Sequence, residues 1–136
     1  MIAPKNFIII LIATISVSTV IILNPLSENT DFSNFTFDAV YLKNSNSVYI
    51  TFSDTNAKSS FAVLEILGME NTFHEEFEIY DSKFTKLVPL DKVPKYGWKT
   101  TPVTLEITYD ESIVYMKTEI HNENQISPVV IFGKSD

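Results

Sequence analysis

Two histidines, His74 and His121, each follow a methionine by five residues, Met69 and Met116. Imidazole and thioether are soft ligands suited to copper, so the doubled Met-x4-His spacing raises a metal site in an exported protein. In a strand, however, an odd offset puts the two side chains on opposite faces, and each pair could close on an ion only through a bulge. Met116 falls in phase with Val114 and Ile120 and reads as core filling. His74 and His121 fall on polar faces beside Glu76 and Glu119. A blue-copper centre is excluded because the chain has no cysteine.

Glu75, Glu76 and Glu78 form the densest acidic cluster, of a kind that can supply acid and base for glycoside hydrolysis or ligands for calcium. Glu76 and Glu78 share a strand face with His74 and Tyr80, opposite Phe73, Phe77 and Ile79, which is the pattern of a solvated face. No calcium-loop pattern is present. Seryl catalysis has no Gly-x-Ser-x-Gly, since Gly68, Gly97 and Gly133 bracket no serine, and there is no glycine-rich phosphate loop. No catalytic residue and no cofactor is expected.

The stretch Pro94-Lys95-Tyr96-Gly97-Trp98-Lys99-Thr100-Thr101-Pro102 sets two large aromatics about a glycine, flanks them with lysines and brackets them with prolines. Loops of this composition bind proteins or sugars, which makes Lys95, Tyr96, Trp98 and Lys99 the candidate binding residues. The competing reading is that Tyr96 and Trp98 fold back to plug the end of the domain, because a small core without disulfides needs its large side chains. Asn34-Phe35-Thr36 matches an N-glycosylation acceptor.

Composition bounds what these residues could serve. The formal charge is −7, and all ten basic residues are lysine, against 17 acidic residues. Such a chain repels nucleic acid and anionic lipid heads, and without arginine it lacks the bidentate fork for phosphate. The absence of cysteine removes disulfides and thiolate chemistry.

Phe7 to Leu23 is a run of 17 uncharged residues, about 25 Å long as a helix at 1.5 Å per residue. Lys5 precedes it and Glu28 and Asp31 follow it, so the positive-inside rule places the N-terminus in the cytoplasm and the rest outside. Its C-terminal flank, Val20 to Pro25, lacks the small residues of a cleavage site, which favours an uncleaved anchor in the bilayer over a signal peptide that would release a secreted domain. Residues 24–33 are polar and read as a tether, leaving 34–136 as one domain.

In that domain apolar residues alternate at period two, the mark of half-buried strands. The clearest runs are Val48 to Phe52, Val103 to Tyr109 and Val114 to Ile120. Further strands are expected at Phe37 to Lys43, Phe61 to Leu67, Phe73 to Tyr80, Phe84 to Leu90 and Val129 to Phe132, with turn residues between them. The expectation is an all-β, immunoglobulin-like antiparallel β-sandwich of seven or eight strands, preceded by one transmembrane helix.

The run Val63-Leu64-Glu65-Ile66-Leu67-Gly68, then Phe77-Glu78-Ile79-Tyr80-Asp81-Ser82-Lys83-Phe84, then Pro94-Lys95-Tyr96-Gly97-Trp98 leading into Val103-Thr104-Leu105-Glu106-Ile107, resembles the exported immunoglobulin-like modules of archaeal and bacterial envelope proteins. It departs from them in the five residues Trp98 to Pro102, where such modules enter the next strand directly. The resemblance implies an adhesive or structural role at the cell envelope, with a protein or glycan partner. The alternative from the residues themselves is an exported carrier of copper or a small ligand, using Met69, His74, Met116 and His121.

Overall fold

The structure, a computed structural model, describes residues 31–136. The anchor expected at Phe7 to Leu23 and most of the tether lie outside the described residues. Among the described residues no helix is long and apolar enough to cross a membrane.

The domain is all-β, with nine strands in two sheets: β1 (Phe35–Leu42), β2 (Ser47–Asp54), β3 (Ser59–Ile66), β4 (Phe73–Glu78), β5 (Lys83–Pro89), β6 (Pro102–Tyr109), β7 (Ser112–Glu119), β8 (His121–Asn122) and β9 (Ile131–Ser135). One sheet runs β5-β2-β1-β8 and the other β4-β3-β6-β7-β9. The period-two runs determine which residues meet between the sheets. Val48, Ile50 and Phe52 of β2 are buried, as are Ala62, Leu64 and Ile66 of β3, Val103, Leu105 and Ile107 of β6, and Val114 and Met116 of β7. Each expected strand is present with ends shifted by a few residues.

Three features depart from the expected pattern. First, β8 pairs parallel with β1, through Val40 and His121 and through Tyr41 and Asn122. After Ile120 the chain leaves the sheet of β7 for that of β1, so alternation fails and both Ile120 and His121 are buried. His121 is therefore not on a polar face. Second, the β3–β6 register shifts between Ser59 and Phe61, a bulge that turns Ser59 into the interior. Third, the domain begins earlier than residue 34: Phe32 stacks on Phe132 with ring centroids 4.8 Å apart and packs against the core.

The strand directions define two ends. At one lie the first described residues, the β2–β3, β4–β5 and β6–β7 turns and the end of β9. At the other lie the β1–β2, β3–β4 and β5–β6 connections, together with the segment that follows β8. The strands of about eight residues separate these ends by roughly 26 Å.

The first end is organised by a buried carboxylate. Asp54 Oδ1 accepts hydrogen bonds from Asn34 Nδ2 at 3.0 Å and the Asn56 amide at 2.9 Å. Oδ2 accepts from the Lys58 amide at 2.8 Å, the Ser59 amide at 3.0 Å and the Ser59 hydroxyl at 2.8 Å. Burial opposes ionisation of Asp54, but these donors outweigh it and hold the carboxyl below its ordinary range. The bulge at Ser59 thus places two donors on this acceptor. Asn34, the residue of the glycosylation pattern, is committed to the same network.

Candidate functional site

The far end carries a cleft of about 730 Å³ between the β3–β4 and β5–β6 connections. Its floor and walls include Met69, Phe73, Leu90, Val93, Pro94 and Tyr96, with Glu70, Asn71, Asp91, Lys92 and Lys95 at the polar positions. The volume lies in the range of ordinary ligand pockets. Tyr96 is 78% exposed, so it does not plug the sandwich. The Lys95 ammonium lies 5.6 Å from its ring centroid.

The two walls are held together by the backbone. Gly68 has φ +76°, and a Cβ there would fall 1.8 Å from the Thr100 carbonyl oxygen, so only glycine lets the connections approach so closely. The Leu67 amide donates to the Pro102 carbonyl at 3.0 Å. Asn46, at φ +48°, exchanges hydrogen bonds with the backbone of Leu90 and accepts from the Tyr41 hydroxyl at 2.8 Å. Across the mouth, Lys92 Nζ and Glu70 Oε2 are 2.7 Å apart, an exposed pair that adds little stability. The cleft is thereby preformed, which lowers the ordering cost of binding.

Trp98 and Lys99 do not line this cleft. They line a second hollow of about 480 Å³ with Glu119, Ile120, His121, Gln125, Ile126 and Pro128. Trp98 begins a short 3-10 turn, Trp98–Thr100, and is half-buried, with its ring 4.8 Å from that of Tyr41. The turn thus divides the candidate residues, sending Lys95 and Tyr96 to one hollow and Trp98 and Lys99 to the other. Trp98 both packs on the core and presents an edge to solvent. Trp98→Ala should therefore cost about 2 kcal/mol, below the ~3–5 kcal/mol of a fully buried Trp, and its fluorescence should be partly quenched by iodide. A loss near zero in chemical or thermal unfolding would show that the contact with Tyr41 contributes nothing.

The four metal candidates are not brought together. Register runs from His74 to Glu65, Thr104 and Lys117 across β4, β3, β6 and β7. Three strand spacings, about 14 Å, separate His74 from the β7 residue beside Met116. Met116 is buried on the inner face, whereas His74 is on the outer face and His121 belongs to the other sheet. Met69 lines the cleft. Among the described residues no group of three or more His, Asp or Glu side chains is disposed to hold a metal ion.

Each histidine instead has carboxylate company. His74 Nδ1 lies 3.3 Å from Glu65 and Nε2 lies 3.2 Å from Glu76. Hydrogen bonding to Glu65, then to Glu76, raises its pKa above the ordinary imidazole value, and the ring links β3 to edge strand β4. His121 Nδ1 lies 2.8 Å from the Asn122 carbonyl oxygen and Nε2 lies 2.8 Å from Asp38 Oδ1. Ser127 Oγ is 3.4 Å from the same Nε2. Serine, histidine and aspartate thus meet where the sequence showed no such grouping, but a relay needs the acid and the nucleophile on different ring nitrogens. Here they share one, and the trio fastens the crossover into β8. Elsewhere, Glu75 turns inward to Lys86 Nζ at 2.7 Å, while Glu76 and Glu78 are exposed as expected.

No protein-family model and no curated protein sequence matches the chain.

Proposed function

We propose that the chain is a single-pass, membrane-anchored module of the cell envelope, non-enzymatic, with its immunoglobulin-like sandwich outside the membrane and a partner protein bound at the far-end cleft. The architecture supports this reading through its strand order. With β1 to β7 taken as A, B, C, C′, E, F and G, the sheets read E-B-A and C′-C-F-G, the arrangement of immunoglobulin-like sandwiches, with β8 added beside A and β9 beside G. The anchor reading rests on the apolar run Phe7 to Leu23 and the charges around it.

The observation that carries the proposal is the polarity of the domain. The described chain begins at one end and the cleft with its exposed Tyr96 opens at the other, roughly 26 Å away. The chain thus enters the domain at the end opposite the preformed, aromatic-walled cleft. A protein partner is favoured over a glycan by the apolar floor of Met69, Phe73, Leu90 and Val93, which suits a buried side-chain anchor.

The test is site-specific photocrosslinking in intact membranes. A photoreactive residue at position 96 should give one discrete adduct, absent when the same residue replaces Tyr49, which is exposed on the outer face of β2. Identical adduct patterns from the two positions would remove the cleft from the reading.

A further inference from the structure

A second surface lies on the side of the sandwich, independent of the cleft. Each sheet edge exposes unpaired backbone groups, and native proteins protect such edges with charge, proline, brevity or a cover. Edge strand β4 carries Glu75, Glu76 and Glu78, with Glu75 turned inward to Lys86. Edge strand β5 carries Lys83, Lys86 and Pro89, and β8 is two residues long.

The remaining edge, β9, is different. Its one charge, Lys134, sits near its end and is held by Asp136 at 3.3 Å. Ile131 is 65% exposed and Val129, just before the strand, is 86% exposed. Gly133 pairs with Tyr115, itself 42% exposed, beside a hollow of about 440 Å³ over the outer face that Glu65, Glu106 and Lys117, the last opposite Ile131, also line. Edge strand β5 also exposes an apolar pair, Leu87 (57%) beside Tyr49 (38%), but there Lys83, Lys86 and Pro89 interrupt the strand, whereas β9 carries no charge or proline before Lys134.

We infer that the β9 edge takes up an extended, lysine- or arginine-bearing strand of another protein, which extends the five-stranded sheet. Main-chain hydrogen bonds would supply affinity, and the outward side chains would cover Ile131 and fill the gap above Gly133. Charge selects the occupant. Residues 24–136 hold nine lysines, the ten of the chain less Lys5, against 17 acidic residues, a net of −8, so a basic strand is attracted and a second copy repelled.

The experiment uses the full chain in detergent micelles and a short fluorescein-labelled peptide of alternating valine and lysine. A peptide of the same composition interrupted by a central proline controls for charge alone. The alternating peptide should bind saturably, slow amide exchange at Ile131–Ser135, and bind at least about tenfold more tightly than the proline peptide. Ile131→Lys, or Val129→Lys should that variant fail to fold, should weaken binding about tenfold, whereas Leu87→Lys on β5 and Tyr96→Ala in the cleft should not. The inference is overturned by absent binding, by equal binding of the two peptides, or by indifference to Ile131→Lys. It is equally overturned if the β9 amides that do not bond to β7 already exchange slowly without peptide, which would mean that a second copy or the chain's own N-terminal segment occupies the edge.

Discussion

Asp54→Ala is expected to lower stability by about 3–4 kcal/mol at neutral pH. The side chain accepts five hydrogen bonds, three of them from backbone amides, and removing a charged acceptor leaves donors unsatisfied at about 1–3 kcal/mol each before relaxation into water. For a domain of this size the loss should lower the thermal midpoint by roughly 15 °C, read from the β-sheet circular dichroism. Asp54→Asn is no remedy, because donors face both carboxylate oxygens and an amide can accept at only one.

The pH dependence fixes the mechanism. The folded-state pKa of Asp54 is depressed, so its contribution is present above the unfolded value of about 3.9 and is lost as pH falls through the folded value. The stability difference between wild type and Asp54→Ala should therefore shrink as pH drops below about 4. A difference that stays constant down to pH 2 would mean that the carboxylate charge is not what the network holds.

Gly68→Ala is the second large effect, about 3 kcal/mol. The added methyl carbon meets the Thr100 carbonyl oxygen at 1.8 Å, and backbone cannot rotate away as a side chain would; the positive φ adds strain. Gly97→Ala is the comparison. Gly97 also has positive φ, but nothing lies within 4 Å of its added carbon, so only backbone strain of about 1–2 kcal/mol is expected. Equal costs for the two substitutions in thermal unfolding would show that the two cleft walls do not depend on their contact at Gly68.

What could be read from the sequence follows from the range of each signal. Period two is local, and three strands were legible because each alternates cleanly within itself, as Val103 to Tyr109 does, while five more were legible as apolar runs bounded by turn residues, as Val129 to Phe132 is. β8 was not legible, because two residues carry no period and its partner β1 lies some 80 residues away. The same crossover misplaced His121, whose burial comes from a change of sheet that alternation does not encode. Asp54 read as an ordinary turn residue, since its donors depend on a bulge in the following strand and on Asn34 in the preceding segment. The aromatic loop stood out by composition. Its division between two hollows did not, because the 3-10 turn at Trp98 and the cleft wall from Gly68 to Phe73 become visible only when distant connections meet.

The central claim is that the sandwich stands outside the membrane with Tyr96 at its accessible far end. Because the chain has no cysteine, Tyr96→Cys creates a single thiol, and a membrane-impermeant maleimide applied to intact cells reports its side of the membrane. The account predicts full labelling of the intact cells, unchanged by lysis. Labelling that appears only after lysis would place the domain in the cytoplasm and contradict it.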